Sequence, residues 1–193
     1  MTAIAFPNDP TITPSTIFGI QSMSMRLRRT VAVVESPFTY DTQVHAHQGA
    51  RWEAEVSLPP LTHAQARAFE AFIIRLKGRE GTFTFGNPLH TSGVNSTTQG
   101  STAIRSTSLT TTSGSGAVLA GEYFQLGNYL YIVTTDKAVG AATLNFEPPL
   151  RETIASGVAL TFTLPKSTWR MAANDIGWSI SSASMYGLSL IHI

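Results

Sequence analysis

Five histidines and no cysteine limit the metal and nucleophile chemistry open to this chain. Disulfides, thiol nucleophiles and cysteine-based zinc sites are excluded. His45 and His47 stand two apart, so on a strand both imidazoles would face one side, a workable pair of metal ligands. A third ligand would have to come from His63, His90 or a distant acid, and no spacing selects among them. Two half-exposed polar positions on a strand is the plainer reading. Glu53 and Glu55 share one strand face and could pair as glycosidase carboxylates do. Against that stands a solvated strand face opposite Trp52, Ala54, Val56 and Leu58, which accounts for the same alternation. Serines are many, yet there is no G-x-S-x-G elbow, and Gly114-Ser115-Gly116 reads as linker. Gly78 to Gly86 contains neither a dinucleotide fingerprint nor a phosphate-binding loop. Arg26, Arg28 and Arg29 form a short basic cluster, suited to a phosphate backbone, to acidic neighbours in an assembly or simply to solvent. Trp52, Trp169, Trp178, Tyr123, Phe124, Tyr129 and Tyr131 could build a sugar-stacking platform, although alternate members of such a run are more often core. No residue is therefore assigned to catalysis, to a cofactor or to a metal, and no cofactor is expected.

The elements that would carry these residues are mostly strands. Met23, Met25 and Leu27 alternate with Ser24, Arg26 and Arg28, and Thr30 to Glu35 continues as a valine-rich strand. Phe38 to His47 is a further polar-apolar ribbon. Arg51 to Leu58 alternates without a break until Pro59-Pro60, which removes ladder donors. Thr62 and Gln65 then form a capping box, and Phe69, Phe72, Ile73 and Leu76 share one face of a helix over 62–77. Those four side chains should dock on Trp52, Ala54, Val56 and Leu58. Gly78 occupies the expected left-handed cap, and Thr82 to Phe85 resumes the period of two.

Residues 91–116 are dominated by Ser, Thr and Gly, which predicts a long loop or weak edge strands and marks a boundary. Beyond it, Gly127-Asn128 between two apolar runs predicts a two-residue hairpin of type II′ or I′. Thr143 to Phe146, Val158 to Leu164 and Tyr186 to Ile193 add strands, while residues 1–22 read as an arm. The fold class is mainly β, with one helix and a small inserted β domain.

Composition narrows the function classes. Charged residues are 13% of the chain, about half the usual share. Such a surface suits a β-protein whose subunit contacts replace solvated area. A formal charge of +1 offers no concentrated basic face for nucleic acid. No apolar run approaches the roughly 18 residues needed to cross a bilayer as a helix, and the N-terminus lacks the basic start of a secretion signal.

The order of these patterns resembles the distal tail (baseplate hub) proteins of long-tailed, non-contractile bacteriophages. The residues that carry it are Trp52, Leu58-Pro59-Pro60, Phe72, Leu76, Gly78, Gly81-Thr82-Phe83, Gly86 and Pro88. A second block follows in Ala120 to Gly127, Leu130 to Val133, Pro148-Pro149-Leu150-Arg151 and Gly157, then Leu164-Pro165 and Trp169-Arg170-Met171. Glu122 replaces the family's aspartate, a mild departure. The resemblance spans about Phe38 to Trp178, and its force lies in the order of the pieces.

It implies a tube-like β-sandwich or barrel with the helix packed on it, formed by residues 1–90 and 166–193, with 91–165 as the inserted β domain. It also implies a structural, non-enzymatic virion protein assembled in the host cytoplasm. Its copies would close into a homo-oligomeric ring, commonly six-membered in that family, joining the tail tube to hub and fibre proteins. DNA would pass through the channel without specific binding, and no membrane insertion is expected. The first arm, the Arg26 to Arg29 strand and the ribbon Tyr186 to Ile193 are expected at subunit contacts. A carbohydrate- or receptor-binding β module of the tail tip is the alternative, and a glycan-degrading virion enzyme, resting on Glu53 and Glu55, is the weakest.

Overall fold

A computed structural model describes residues 4–6, 20–86, 95–112, 116–175 and 187–192. Among the described residues the fold is mainly β with one short helix, and one of its sheets curls into a half-barrel. Twelve strands are described, in two six-stranded sheets.

The first sheet runs β1 (Ile4–Ala5), β4 (Phe83–Gly86), β11 (Lys166–Met171), β12 (Gly187–His192), β3 (Thr42–Ser57) and β2 (Ser22–Glu35) in spatial order. Strands from the two ends of the chain thus interleave: β11 pairs with β4, and β12 lies between β11 and β3. Helix α1 (His63–Leu76) packs on this sheet because its apolar stripe has nowhere else to go. Ala66, Phe69, Phe72, Ile73 and Leu76 are buried with Trp52, Ala54, Val56 and Leu58, so the expected docking is observed. The Thr62 capping box is present. The helix stops one residue earlier than Gly78 suggested: Lys77 is the left-handed cap at φ 50°, and Gly78 follows at φ 66°.

Residues 4–6 are not an arm. β1 pairs in parallel with β4, and Phe6 is buried against Phe72, Phe83 and Phe85 with ring centroids 5.1–5.9 Å away. An aromatic ring fills a gap that the short strand β4 leaves beside the helix, which outweighs the polar composition around it. Of the rest of the arm expected over 1–22, residues 1–3 and 7–19 lie outside the described residues, and Ser22 already begins β2.

The second sheet runs β5 (Ser96–Thr97), β10 (Ala159–Thr161), β7 (Tyr123–Leu126), β8 (Tyr129–Val133), β9 (Thr143–Glu147) and β6 (Ser108–Thr110). The Ser/Thr-rich segment supplies β5 and β6, the two strands at the ends of this order. They meet: Thr98 bridges Thr111, Gln99 N donates to Thr110 O at 2.8 Å, and Thr112 N donates to Thr97 O at 3.0 Å. The sheet therefore closes on its own core of Phe124, Leu126, Tyr131, Val133, Leu144, Phe146, Leu160 and Phe162. Between β7 and β8, Gly127 has φ 60° while Asn128 stays at negative φ, the type II′ turn.

The two sheets touch through polar and apolar contacts. Leu130 belongs to the first core, and its carbonyl accepts from Trp52 Nε1 at 2.9 Å. Lys166 N donates to Gln125 Oε1 at 3.0 Å, and Thr168 N donates to Asn128 O at 3.0 Å.

Candidate functional site

The feature that stands out is the β2–β3 hairpin. Two ribbons expected to be separate, Phe38 to His47 and Arg51 to Leu58, supply one strand of 16 residues, Thr42–Ser57, while Phe38 to Asp41 lie in the connection between β2 and β3. A register shift between Arg29 and Val31 divides the hairpin in two. Below it, Met23, Met25, Leu27, Trp52, Ala54 and Val56 face the helix. Above it, the ribbon continues to Glu35 and Thr42 with no further strand beside it among the described residues, projecting roughly 20 Å at 3.3 Å per residue. Val31, Val33, Val44 and Ala46 share the face that continues the core side, because opposed residues in an antiparallel ladder point the same way. Val33 and Val44 are 60% and 62% exposed, and Phe38 at the tip is 92% exposed. The outer edge of β2 pairs with no described strand, and β12 covers β3 only along Glu53–Ser57.

The basic cluster is split by the strand period. Arg26 and Arg28 point to the sheet face away from the helix, where Arg51 joins them across the ladder. All three surround Glu53: Arg26 Nε donates to Oε2 at 2.9 Å, Arg51 Nη2 to Oε1 at 2.8 Å, and Arg28 Nη1 lies 3.6 Å from Oε1. Glu53 is only 7% exposed, so the expected solvated strand face is wrong at this position; guanidinium groups cover it. The hydrogen bond from Arg51, and then the bond and charge of Arg26, hold its carboxyl below the ordinary glutamate range against the opposing effect of burial. Glu55 remains exposed. Arg29 points the other way and pairs with Glu147 of the second sheet at 3.4 Å.

His45 and His47 do lie together on the exposed ribbon, with ring centroids 5.8 Å apart at 84°. Among the described residues no set of three His, Asp or Glu side chains is placed to hold a metal. His63 begins α1 and is exposed; His90 lies outside the described residues. Among the described residues the aromatic platform does not form. Trp52 and Trp169 are core side chains whose indoles donate to Leu130 O and Phe85 O, each at 2.9 Å. Phe124 and Tyr131 are stacked inside the second sheet, and burial pushes the Tyr131 hydroxyl up to about 12. Tyr123 is half-buried against Trp52. Tyr129 is half-buried and borders a cleft, and Trp178 lies outside the described residues.

Sequence reading missed Lys137. It is 3% exposed, its ammonium donates to Gly116 O and Ala138 O at 3.1 and 3.0 Å, and burial lowers its pKa. A single lysine in a polar loop carries no signal of this; only the fold of that loop buries it.

Compared with known proteins, the chain matches no family model and no curated protein. Among the described residues, no helix is long and apolar enough to cross a membrane.

Proposed function

We propose that this protein is a structural subunit of a phage tail tip, of the distal tail (baseplate hub) type. Its copies close into a ring that joins the tail tube to the receptor-binding apparatus and leaves a channel for DNA. The reading assigns it no catalytic role and puts it in the virion. Its partners are copies of itself, six if the resemblance carries over, then the tail tube and the hub or fibre proteins.

The observation that carries this reading is the ribbon above the β2–β3 register shift. An isolated two-stranded ribbon is marginal in water, and this one exposes valines and an aromatic at its tip. Unpaired strand edges invite pairing with another chain. A head-to-tail contact that closes by rotation covers edge and valines together without forming open fibres. The low charge of the chain agrees with a surface that is meant to be covered.

Native mass measurement of the purified full-length chain tests it. One discrete closed oligomer is expected. Replacing Val33 and Val44 by Asp should return a folded monomer whose stability changes by about 0.5 kcal/mol or less per site, since both are exposed. A parent protein that stays monomeric at high concentration and is missing from purified virions overturns the reading.

A further inference from the structure

Where the base of the hairpin meets the second sheet, a cleft of about 420 Å³ opens between Gln48 on one side and Ile104, Arg105, Tyr129, Pro149 and Arg151 on the other. We propose that this cleft binds an acidic saccharide, a sugar ring carrying a carboxylate. This does not depend on the ring reading.

Three observations lead there. First, the cleft holds two guanidinium groups, and neither has a carboxylate partner among the described residues, while Arg26, Arg28, Arg29 and Arg51 all do. Arg151 is set in place: its Nη2 donates to Ala50 O at 2.9 Å, and its guanidinium carbon lies 5.9 Å from the centre of the Tyr129 ring. Second, Arg105 is presented by a pinned backbone. It sits in the left-handed region at φ 70°, its N–H donates to Leu150 O at 2.8 Å, and Leu150 N donates to Ser106 O at 2.9 Å. A non-glycine residue held there is uncommon and worth asking a reason for. Third, the rest of the wall includes apolar side chains, Ile104, Pro149 and the half-exposed Tyr129 ring.

A sugar ring offers a C–H face to such a wall and hydroxyls to the Gln48 amide at the rim. The planar fork of arginine matches a carboxylate through two parallel hydrogen bonds. The volume suits a ligand of one or two rings. A polyanion would instead call for a basic stripe running along the surface. Here two guanidinium groups, neither in an ion pair among the described residues, line one cleft.

The test is titration calorimetry on the full chain with digalacturonate, with its neutral counterpart digalactose, with inorganic phosphate and with a short single-stranded oligonucleotide. Digalacturonate should bind and digalactose should not. Arg105→Met, at an exposed position, should keep the parent melting temperature and weaken binding by about tenfold or more, as expected for loss of a charged hydrogen bond. Tyr129→Leu should weaken digalacturonate and leave phosphate unchanged. No binding by digalacturonate at millimolar concentration overturns the proposal, as does equal binding by the Arg105→Met protein. So does phosphate matching digalacturonate with no effect of Tyr129→Leu, which would be a bare anion site. Tighter binding of the oligonucleotide overturns it in favour of a nucleic-acid contact.

Discussion

Glu53 is where a single residue changes the reading of a surface. Its carboxylate organises three arginines on the open face of the first sheet, and its lowered pKa links that arrangement to pH. A carboxyl whose folded pKa lies below its unfolded value stabilises the fold above the unfolded value. That contribution is lost as pH falls through the acid range toward the folded value. Urea unfolding measured from neutral pH downward should therefore show stability declining through the acid range, with a shallower decline in Glu53→Gln. Parallel curves for the two proteins would mean that Glu53 is not linked to folding. Phe72 is the complementary case in the core, 3% exposed and in edge contact with Phe6 and Phe83. Phe72→Ala should cost roughly 3–5 kcal/mol, a large part of a domain's net stability, and calorimetry should find the protein unfolded or melting far lower. A melt within a degree or two of the parent would contradict the packing. Thr62→Ala, which removes the cap of α1, should cost about 1 kcal/mol by the same measurement.

Among elements, the closure of the second sheet has a consequence for autonomy. β5 and β6 satisfy each other through the Thr98–Thr111 bridge, so the sheet has its own core and a protected seam. A fragment of residues 91–165 should fold alone, with dispersed amide signals in NMR and a cooperative melt. The remainder, rejoined by a short Gly/Ser linker, loses Leu130 from its core and the acceptor for Trp52 Nε1. It should fold with reduced stability, and a buried donor left without its partner accounts for about 1–3 kcal/mol of the loss. An unfolded fragment would mean that the sheets form one cooperative unit. The terminal ribbon needs a different expectation from the one its edge position in sequence suggested. β12 is paired on both sides, with β11 and with β3, so it is not a free edge for a neighbouring copy. Removing Tyr186 to Ile193 should give insoluble protein, where a surface element would give a soluble monomer.

For the whole molecule, the proposed ring rests on the exposed ribbon and the sparse charge, and the Val33 and Val44 substitutions would separate such assembly from folding. Much of the local architecture was legible in the residues. Alternation in Arg51 to Leu58, the Thr62–Gln65 box and the stripe Phe69, Phe72, Ile73, Leu76 each report a period or a cap that needs only neighbours along the chain. The Gly127-Asn128 turn is local in the same way, since a positive φ at its first position favours glycine whatever surrounds it. Other features depend on residues far apart in sequence. Phe6 enters the core because β4 and α1 leave a space for one aromatic. Glu53 is buried because Arg26 and Arg28 arrive from another strand. Arg29 parts from its neighbours because the second sheet offers Glu147. The cleft at Arg105, Tyr129 and Arg151 exists only where two sheets meet. Periodicity, caps and turns are written within a few residues and can be read there. Burial, ion pairing and clefts are properties of distances between segments, and only the tertiary structure decides those.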